Sequence, residues 1–215
     1  MSYRKCSGCH GHKRQCQCHC RPTYPRYNDC LNRGPFVAIN PRCIVPVEQT
    51  GAIIPFSSGT VPAVLVSAVG GLIGTTSLVG FGTSIPGVSV VNNQIDLLAP
   101  LLSEAFSAPR NGEITSISAS FRATVAIDLV GVATVNARIY RAPEGSNTFT
   151  ATDASVNLSP LTGSLAVDET ISGNSSNFAP VNVATGDRLL MVFSVTGPTV
   201  VTTLTGVASA GINIE

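Results

Sequence analysis

The side chains best suited to chemistry crowd the first fifth of the chain. All seven cysteines (Cys6, Cys9, Cys16, Cys18, Cys20, Cys30 and Cys43) and all three histidines (His10, His12 and His19) fall within residues 1–43. Residues 6–20 offer eight soft or borderline metal ligands: Cys6, Cys9, His10, His12, Cys16, Cys18, His19 and Cys20. Zinc needs four such ligands in tetrahedral array, with CxxC spacing typical of one pair. Cys6 and Cys9 supply that pair, and two of Cys16, Cys18 and Cys20 would complete it. Cys16-Gln-Cys18-His-Cys20 is strict alternation, however, and no strand-turn-helix pattern of a zinc finger surrounds it. Cys6-Ser-Gly-Cys9-His10 also matches the attachment motif of c-type haem, with His12 or His19 available for the other axial position. Haem attachment requires export, and no export signal is visible. Zinc and haem are therefore alternatives, and the expectation is that no cofactor is bound.

Disulfide cross-linking is the favoured use of the seven thiols. An odd number leaves one for an intermolecular bond in oxidising surroundings. Alternating cysteines cannot easily bond to one another, because a disulfide needs Cβ atoms about 3.5–4.5 Å apart and neighbouring side chains diverge. An extended segment with unsatisfied thiols suits the covalent joining of subunits. The plain alternative is a tail whose thiols have no joint role.

Charge divides the chain at the same place. Residues 1–43 carry eight Lys/Arg against Asp29 alone, a net +7, whereas residues 44–215 carry five Arg against eleven acids, a net −6. The formal net charge of +1 is thus the sum of two opposed segments. A basic head, residues 1–47, and a body, residues 48–215, are expected. The head has almost no apolar residues before Phe36, so burial alone cannot offset the entropy of ordering it. It needs cross-links, metal or a partner. Its basic residues interleave with Tyr3, Tyr24 and Tyr27, yet no nucleic-acid module is recognisable, and no nucleic-acid partner is expected. The +7 head meeting the −6 body of a neighbouring subunit is the more economical reading. No apolar run follows Arg4 and Lys5, so a secretory signal is not expected.

The body reads as strands. Only 12% of the residues are charged, which excludes a solvating, charge-rich chain. Residues 61–82 are uncharged and long enough to span a bilayer, with Gly70 and Gly74 spaced as GxxxG. Pro62, the glycines and the absence of a Trp, Tyr or Lys anchor at either edge argue against a membrane helix. Short β-branched bursts at 63–66, 77–81 and 88–91 read instead as buried strands. Residues 117–129 alternate strictly, with Ile117, Ala119, Phe121, Ala123, Val125, Ile127 and Leu129 on one face. A turn is expected around Gly131, followed by the alternation of Ala133, Val135, Ala137 and Ile139. Strands are expected at 148–158, 188–195 and 200–214, with turns at 143–147, 172–174 and 197–198. Eight to ten strands with Gly/Pro turns predict an all-β fold, a jelly-roll-like antiparallel sandwich with an irregular cysteine-rich extension.

Catalytic material is scarce in the body. It has no His, so no Ser-His-acid triad can be built there. Asp128, Asp153, Asp168, Glu169 and Asp187 are spread singly over expected strand ends and turns, where acids sit in solvent. The glycines of Gly80-Phe-Gly82 lack the following Lys of a phosphate loop and read as a strand-end turn. No enzymatic activity is expected.

Six blocks stand out in order along the body: Gly51-Ala-Ile-Ile-Pro-Phe-Ser-Ser-Gly-Thr60, Gly70-Gly-Leu-Ile-Gly74, Leu78-Val-Gly-Phe-Gly82, Phe106-Ser-Ala-Pro-Arg-Asn-Gly-Glu-Ile-Thr-Ser-Ile117, Arg188-Leu-Leu-Met-Val-Phe193 and Gly206-Val-Ala-Ser-Ala-Gly-Ile212. Together they resemble the C-terminal domain of the BclB-type collagen-like exosporium glycoproteins of Bacillus-group spores, over about residues 50–215. The resemblance implies a trimer-forming β domain without enzymatic activity on the spore surface, made inside the mother cell. The chain has no Gly-X-Y tract; the Cys/His head stands where the collagen stalk would be. A structural protein of the exosporium layer or of an appendage filament is therefore expected, with itself and other spore-coat or exosporium proteins as partners. The body would associate through its apolar faces and the head would cross-link. A metal- or haem-binding protein and a lectin-like ligand-binding module are the alternative functions.

Overall fold

A computed structural model of the chain describes residues 51–70, 72–97, 104–197 and 201–215. Fourteen strands make up these residues, and none of the described residues is in an α-helix. They are β1 Ala52–Ser57, β2 Ala63–Ser67, β3 Ile73–Val79, β4 Ser84–Ser89, β5 Gln94–Asp96, β6 Phe106–Ser107, β7 Gly112–Ala123, β8 Ile127–Ala142, β9 Thr148–Asn157, β10 Leu161–Leu165, β11 Thr170–Ser175, β12 Val181–Val183, β13 Arg188–Thr196 and β14 Thr203–Ile214. The excess over eight to ten comes from short edge pieces such as β5, β6 and β12, of three, two and three residues.

Two antiparallel layers face each other. In the first, β1 and β2 lie end to end along one edge of β14, β14 pairs with β7, and β11 and β12 share the far edge of β7. In the second, the order is β4-β3-β13-β8-β9-β5. β6 extends the β3 side of β13, and β10 pairs with the first half of β8. β2 also pairs with β3 through a bulge between Val66 and Ser67, closing one side of the sandwich. The chain crosses between the layers repeatedly, after β2, β6, β7, β10, β12 and β13, and the all-β sandwich expected from the sequence is the fold observed.

Alternation sets which face each strand buries. Ile117, Ala119, Phe121 and Ala123 of β7 turn inward, opposite Ala133, Val135, Ala137 and Ile139 of β8. Ala208, Ala210, Ile212 and Ile214 of β14 join them, with Phe56, Leu65 and Phe193. Each fully buried aliphatic or aromatic side chain contributes roughly 1.5–3 kcal/mol. A second apolar cluster occupies the outer face of the second layer: Leu78, Tyr140, Phe149, Leu190 and Val192 under Ile95 and Leu97. The chain from β4 to β5 covers it, with Ile85, Val88 and Val90 packed on top. This second cover explains why β13 reads Leu-Leu-Met-Val-Phe rather than alternating: it is buried on both faces.

Four local expectations need correction. The long alternation does not run through residue 129; the chain bends at Thr124 and Val125, and β8 begins at Ile127. The bend is held because Thr124 donates its backbone N–H (3.0 Å) and its hydroxyl (3.2 Å) to the carbonyl of Thr205. Gly131 is no turn but part of a bulge inside β8, at φ 99°, where three residues of β8 face Gly163 of β10. Ser172, Gly173 and Asn174 are likewise not a turn; they lie within β11. A Cβ on Gly173 would stand 2.4 Å from the carbonyl oxygen of Asn157, so this glycine serves close backbone approach. The burst at 88–91 is also less buried than expected, with Val91 exposed beside the turn that follows β4.

The span at 61–82 supplies β2 and β3, as expected from its glycines and β-branched residues. None of the described residues belongs to a helix long and apolar enough to cross a membrane.

Candidate functional site

Every predicted cross-linking or metal-ligating residue, from Cys6 to Cys43 and including His10, His12 and His19, lies outside the described residues. Among the described residues no group of three or more His, Cys, Asp or Glu could hold a metal ion. The acids of the body also stay apart, and two of them do structural work. Ala166 donates its N–H to Glu169 Oε2 at 2.9 Å, and Ala184 donates its N–H to Asp187 Oδ2 at 2.9 Å. Each turn is closed in return, because the N–H of Glu169 and of Asp187 donates to the carbonyl of the same alanine at 3.2 and 3.1 Å. The spacing Ala-x-x-acid is thus a readable turn signal that resembles a helix capping box. Asp187 is not the solvated acid expected from the sequence; it is buried, 3.5 Å from Nη1 of Arg141, which also donates to the carbonyl of Asn182.

The two ends of the sandwich differ sharply. At one end the body begins, with Ala52 paired to Ile214, and the N–H of Glu113 donates to the carbonyl of Glu215 at 2.9 Å. Arg141, Asp187 and Arg188 gather there. At the other end four connections are stitched together by backbone hydrogen bonds. Ser67 N–H donates to Thr202 O (2.9 Å), Thr124 N–H to Thr205 O (3.0 Å), and Asp168 N–H to Ala123 O (2.9 Å). Gly197 lies against the carbonyl of Val132. These connections raise Val69, Leu72, Val125, Val167 and Val201 into solvent, with Val69 73% and Leu72 68% exposed. Single exposed valines are ordinary on a protein surface, whereas several converging on one end form an apolar patch. Sequence reasoning missed this patch, because its members are spread over 130 residues and only the topology gathers them.

The outer face of the first layer has another character. Side chains at paired positions form rows: Ile53, Asn213 and Ser116; then Pro55, Gly211, Ser118 and Asn174; then Ser57, Ser209, Ser120 and Ser172; then Val207, Arg122 and Thr170. Arg122 is the one charged side chain in these rows, and it sits in an exposed ion pair with Asp168 at 3.0 Å. Such a pair contributes about 0–1 kcal/mol. A shallow trough of about 470 Å³ runs across the rows at Ile53, Ser118, Asn174 and Gly211. The large apolar side chains are spent on the core and under the β4–β5 cover, so this face is small, flat and nearly uncharged rather than apolar.

No family model matches the chain. Over 88 residues it is 41% identical to Collagen-like protein 1 of Acanthamoeba polyphaga mimivirus, an alignment covering 38% of this chain and 9% of that protein. The chain therefore spans about a tenth of the length of that curated relative. Among solved structures it is similar to Eiger TNF from S. frugiperda, with a TM-score of 0.38 and 10% identity over 78% of this chain and 94% of that one. Part of the chain is thus similar in sequence to a collagen-like protein.

Proposed function

We propose that the chain is a non-enzymatic, self-assembling structural protein of the bacterial spore surface, built into an exosporium layer or an appendage filament. One observation carries the self-assembly: apolar side chains from four separate connections converge at one end of the sandwich, opposite the end where the body begins. Burying that patch against another copy removes apolar surface from water at roughly 25 cal/mol per Å². A contact between unlike surfaces of successive copies grows into an open chain unless its rotation closes a ring. The flat, small-residue face of the first layer supports close lateral approach as well. The number three for the lateral oligomer, and the spore surface as its place, rest on the six sequence blocks; the likeness to a collagen-like protein supports a structural role. The basic head then joins subunits covalently through Cys6, Cys9, Cys16, Cys18, Cys20, Cys30 and Cys43, without a cofactor.

Sedimentation of the full chain under reducing conditions tests the association, with the triple variant Val125→Ser, Val167→Ser, Val201→Ser beside it. All three positions are exposed, so the fold should survive. Assemblies that shrink in the variant while its β-sheet circular dichroism is unchanged support the reading. Assemblies of unaltered size in the variant would overturn it.

A further inference from the structure

The cover over the second layer stops short of its far half, and the edge is a cleft of about 220 Å³ at the Asn92–Asn93 turn between β4 and β5. Val91 and Gln94 exchange both backbone hydrogen bonds (3.0 and 2.9 Å), and Asn92 and Asn93 between them have φ of 52° and 59°. That is a two-residue type I′ turn, tied down because Ala151 N–H donates to Asn93 O at 2.9 Å. The cleft is therefore bounded by a fixed tip, not a loose loop. Its floor changes from Tyr140 and Val192, in the covered apolar cluster, to polar Asn136, Arg138 and Ser194 beyond it.

Arg138 is the anomaly in that floor. Its Nε is buried and has no hydrogen-bond partner, and its guanidinium makes no ion pair among the described residues. A buried donor left unpaired costs about 1–3 kcal/mol, and more when it is charged. Native structures rarely retain such a group unless a ligand or water completes it. The neighbouring amide is already oriented: Asn136 Nδ2 donates to Asn157 Oδ1 at 2.8 Å and to Val156 O at 3.2 Å. This leaves Asn136 Oδ1 to accept and Asn157 Nδ2 to donate toward a guest. No carboxylate lines the cleft to compete for the guanidinium.

We propose that this cleft binds a small carboxylate carried on a hydroxylated frame, with Arg138 as its anchor, the chemistry of an acidic sugar residue. A guanidinium presents parallel N–H donors that match the two oxygens of a carboxylate. A single cation without a nest of backbone N–H groups suits a monoanion better than a doubly charged phosphate. The hydroxyl of Ser194 and the amides of Asn136 and Asn157 lie on adjacent strands, spaced for sugar hydroxyls, while Val192 offers an apolar wall to a ring's C–H face. The volume is below the roughly 300–1,000 Å³ of sites for drug-sized ligands, so one sugar residue is the natural occupant.

The test is titration of the full chain with glucuronate, glucose and acetate, followed by NMR of the side-chain amides of Asn136 and Asn157. Glucuronate should shift both saturably, with a Kd of roughly millimolar order. Glucose should bind at least about tenfold more weakly, because it lacks the charged acceptor. Arg138→Met should abolish the shifts without lowering the melting temperature, since it removes an unpaired buried donor and retains bulk. Acetate binding as tightly as glucuronate would overturn the sugar assignment. Absence of saturable shifts, unchanged shifts in R138M, or a lowered melting temperature of R138M would overturn the site itself.

Discussion

Ser58 and Ala208 exchange two hydrogen bonds: the N–H of Ser58 donates to the carbonyl of Ala208 at 2.9 Å, and the N–H of Ala208 donates to the hydroxyl of Ser58 at 3.0 Å. The serine is fully buried just past the end of β1, where β14 would otherwise lose its partner. The same device recurs between Ser77 and Val64, where the hydroxyl donates to Val64 O at 2.8 Å and accepts from Val64 N–H at 2.9 Å. Side-chain oxygens thus continue the ladder where backbone partners diverge. Ser58→Ala should leave a buried N–H unpaired and cost about 1–3 kcal/mol. For a body of this size that lowers the melting temperature by roughly 2–10 °C, measured by calorimetry. Ser58→Ala with an unchanged melting temperature would remove the clip from the account.

Gly173→Ala places a methyl group 2.4 Å from the carbonyl of Asn157. Backbone cannot retreat there without opening β11 from β9, so a loss of about 1–3 kcal/mol is expected in urea unfolding. Gly70→Ala is the control. A Cβ at Gly70 meets nothing within 4 Å, and only its positive φ of 81° opposes the substitution.

Salt separates two modes of association. If the apolar end drives assembly, added sulfate should strengthen it. If the +7 head and −6 body attract each other, assembly should weaken as the Debye length falls from about 10 Å at 0.1 M to about 3 Å at 1 M salt. Light scattering across that range reads the sign directly; the proposed function requires growth or constancy.

Disulfide joining is checked on non-reducing gels. Wild-type chain should run as a ladder that collapses on thiol reduction. Replacing all seven cysteines by serine should leave a folded body and assemblies that come apart on dilution. A clean monomer before and after reduction would sink cross-linking.

Alkaline stability should report on Tyr140. Burial raises its pKa above 10.0, opposed in part by the positive charge of Arg138. The folded state therefore holds the proton more tightly than the unfolded state. Stability is fully present below about pH 10 and falls as pH climbs from there through the raised pKa. Tyr140→Phe should flatten that part of the pH–stability curve; an equally steep loss in the variant would assign it elsewhere.

The strands were legible where one physical signal dominated. β7, β8, β9, β13 and β14 announce themselves by alternation or by a continuous apolar run, and the absence of α-helix among the described residues follows from their β-branched content. Features made by two segments together were not legible. Nothing local marks Gly173 as the point where β11 passes Asn157, and the Ser and Asn on either side of it imitate a turn. Thr124, Val125 and Ala126 include no Gly, Pro or Asn to announce a bend, since that bend is fixed by Thr205 from across the sheet. The apolar end depends on connections far apart in sequence, and Arg138 looks like any outward arginine until its neighbours prove unable to pair with it. The head's cysteines and histidines were the clearest chemical signal, and they lie outside the described residues.

The pairing of β1 with β14 has a mechanical consequence. β1 runs from the end where the body begins toward the apolar end, held by six successive residue pairs from Ala52↔Ile214 to Ser57↔Ser209. When a subunit is gripped at its apolar end and tugged through the residues before Ala52, the load runs along β1. Its hydrogen bonds then share the force in shear, instead of being peeled open one after another. A strand loaded this way yields only when all its bonds give together.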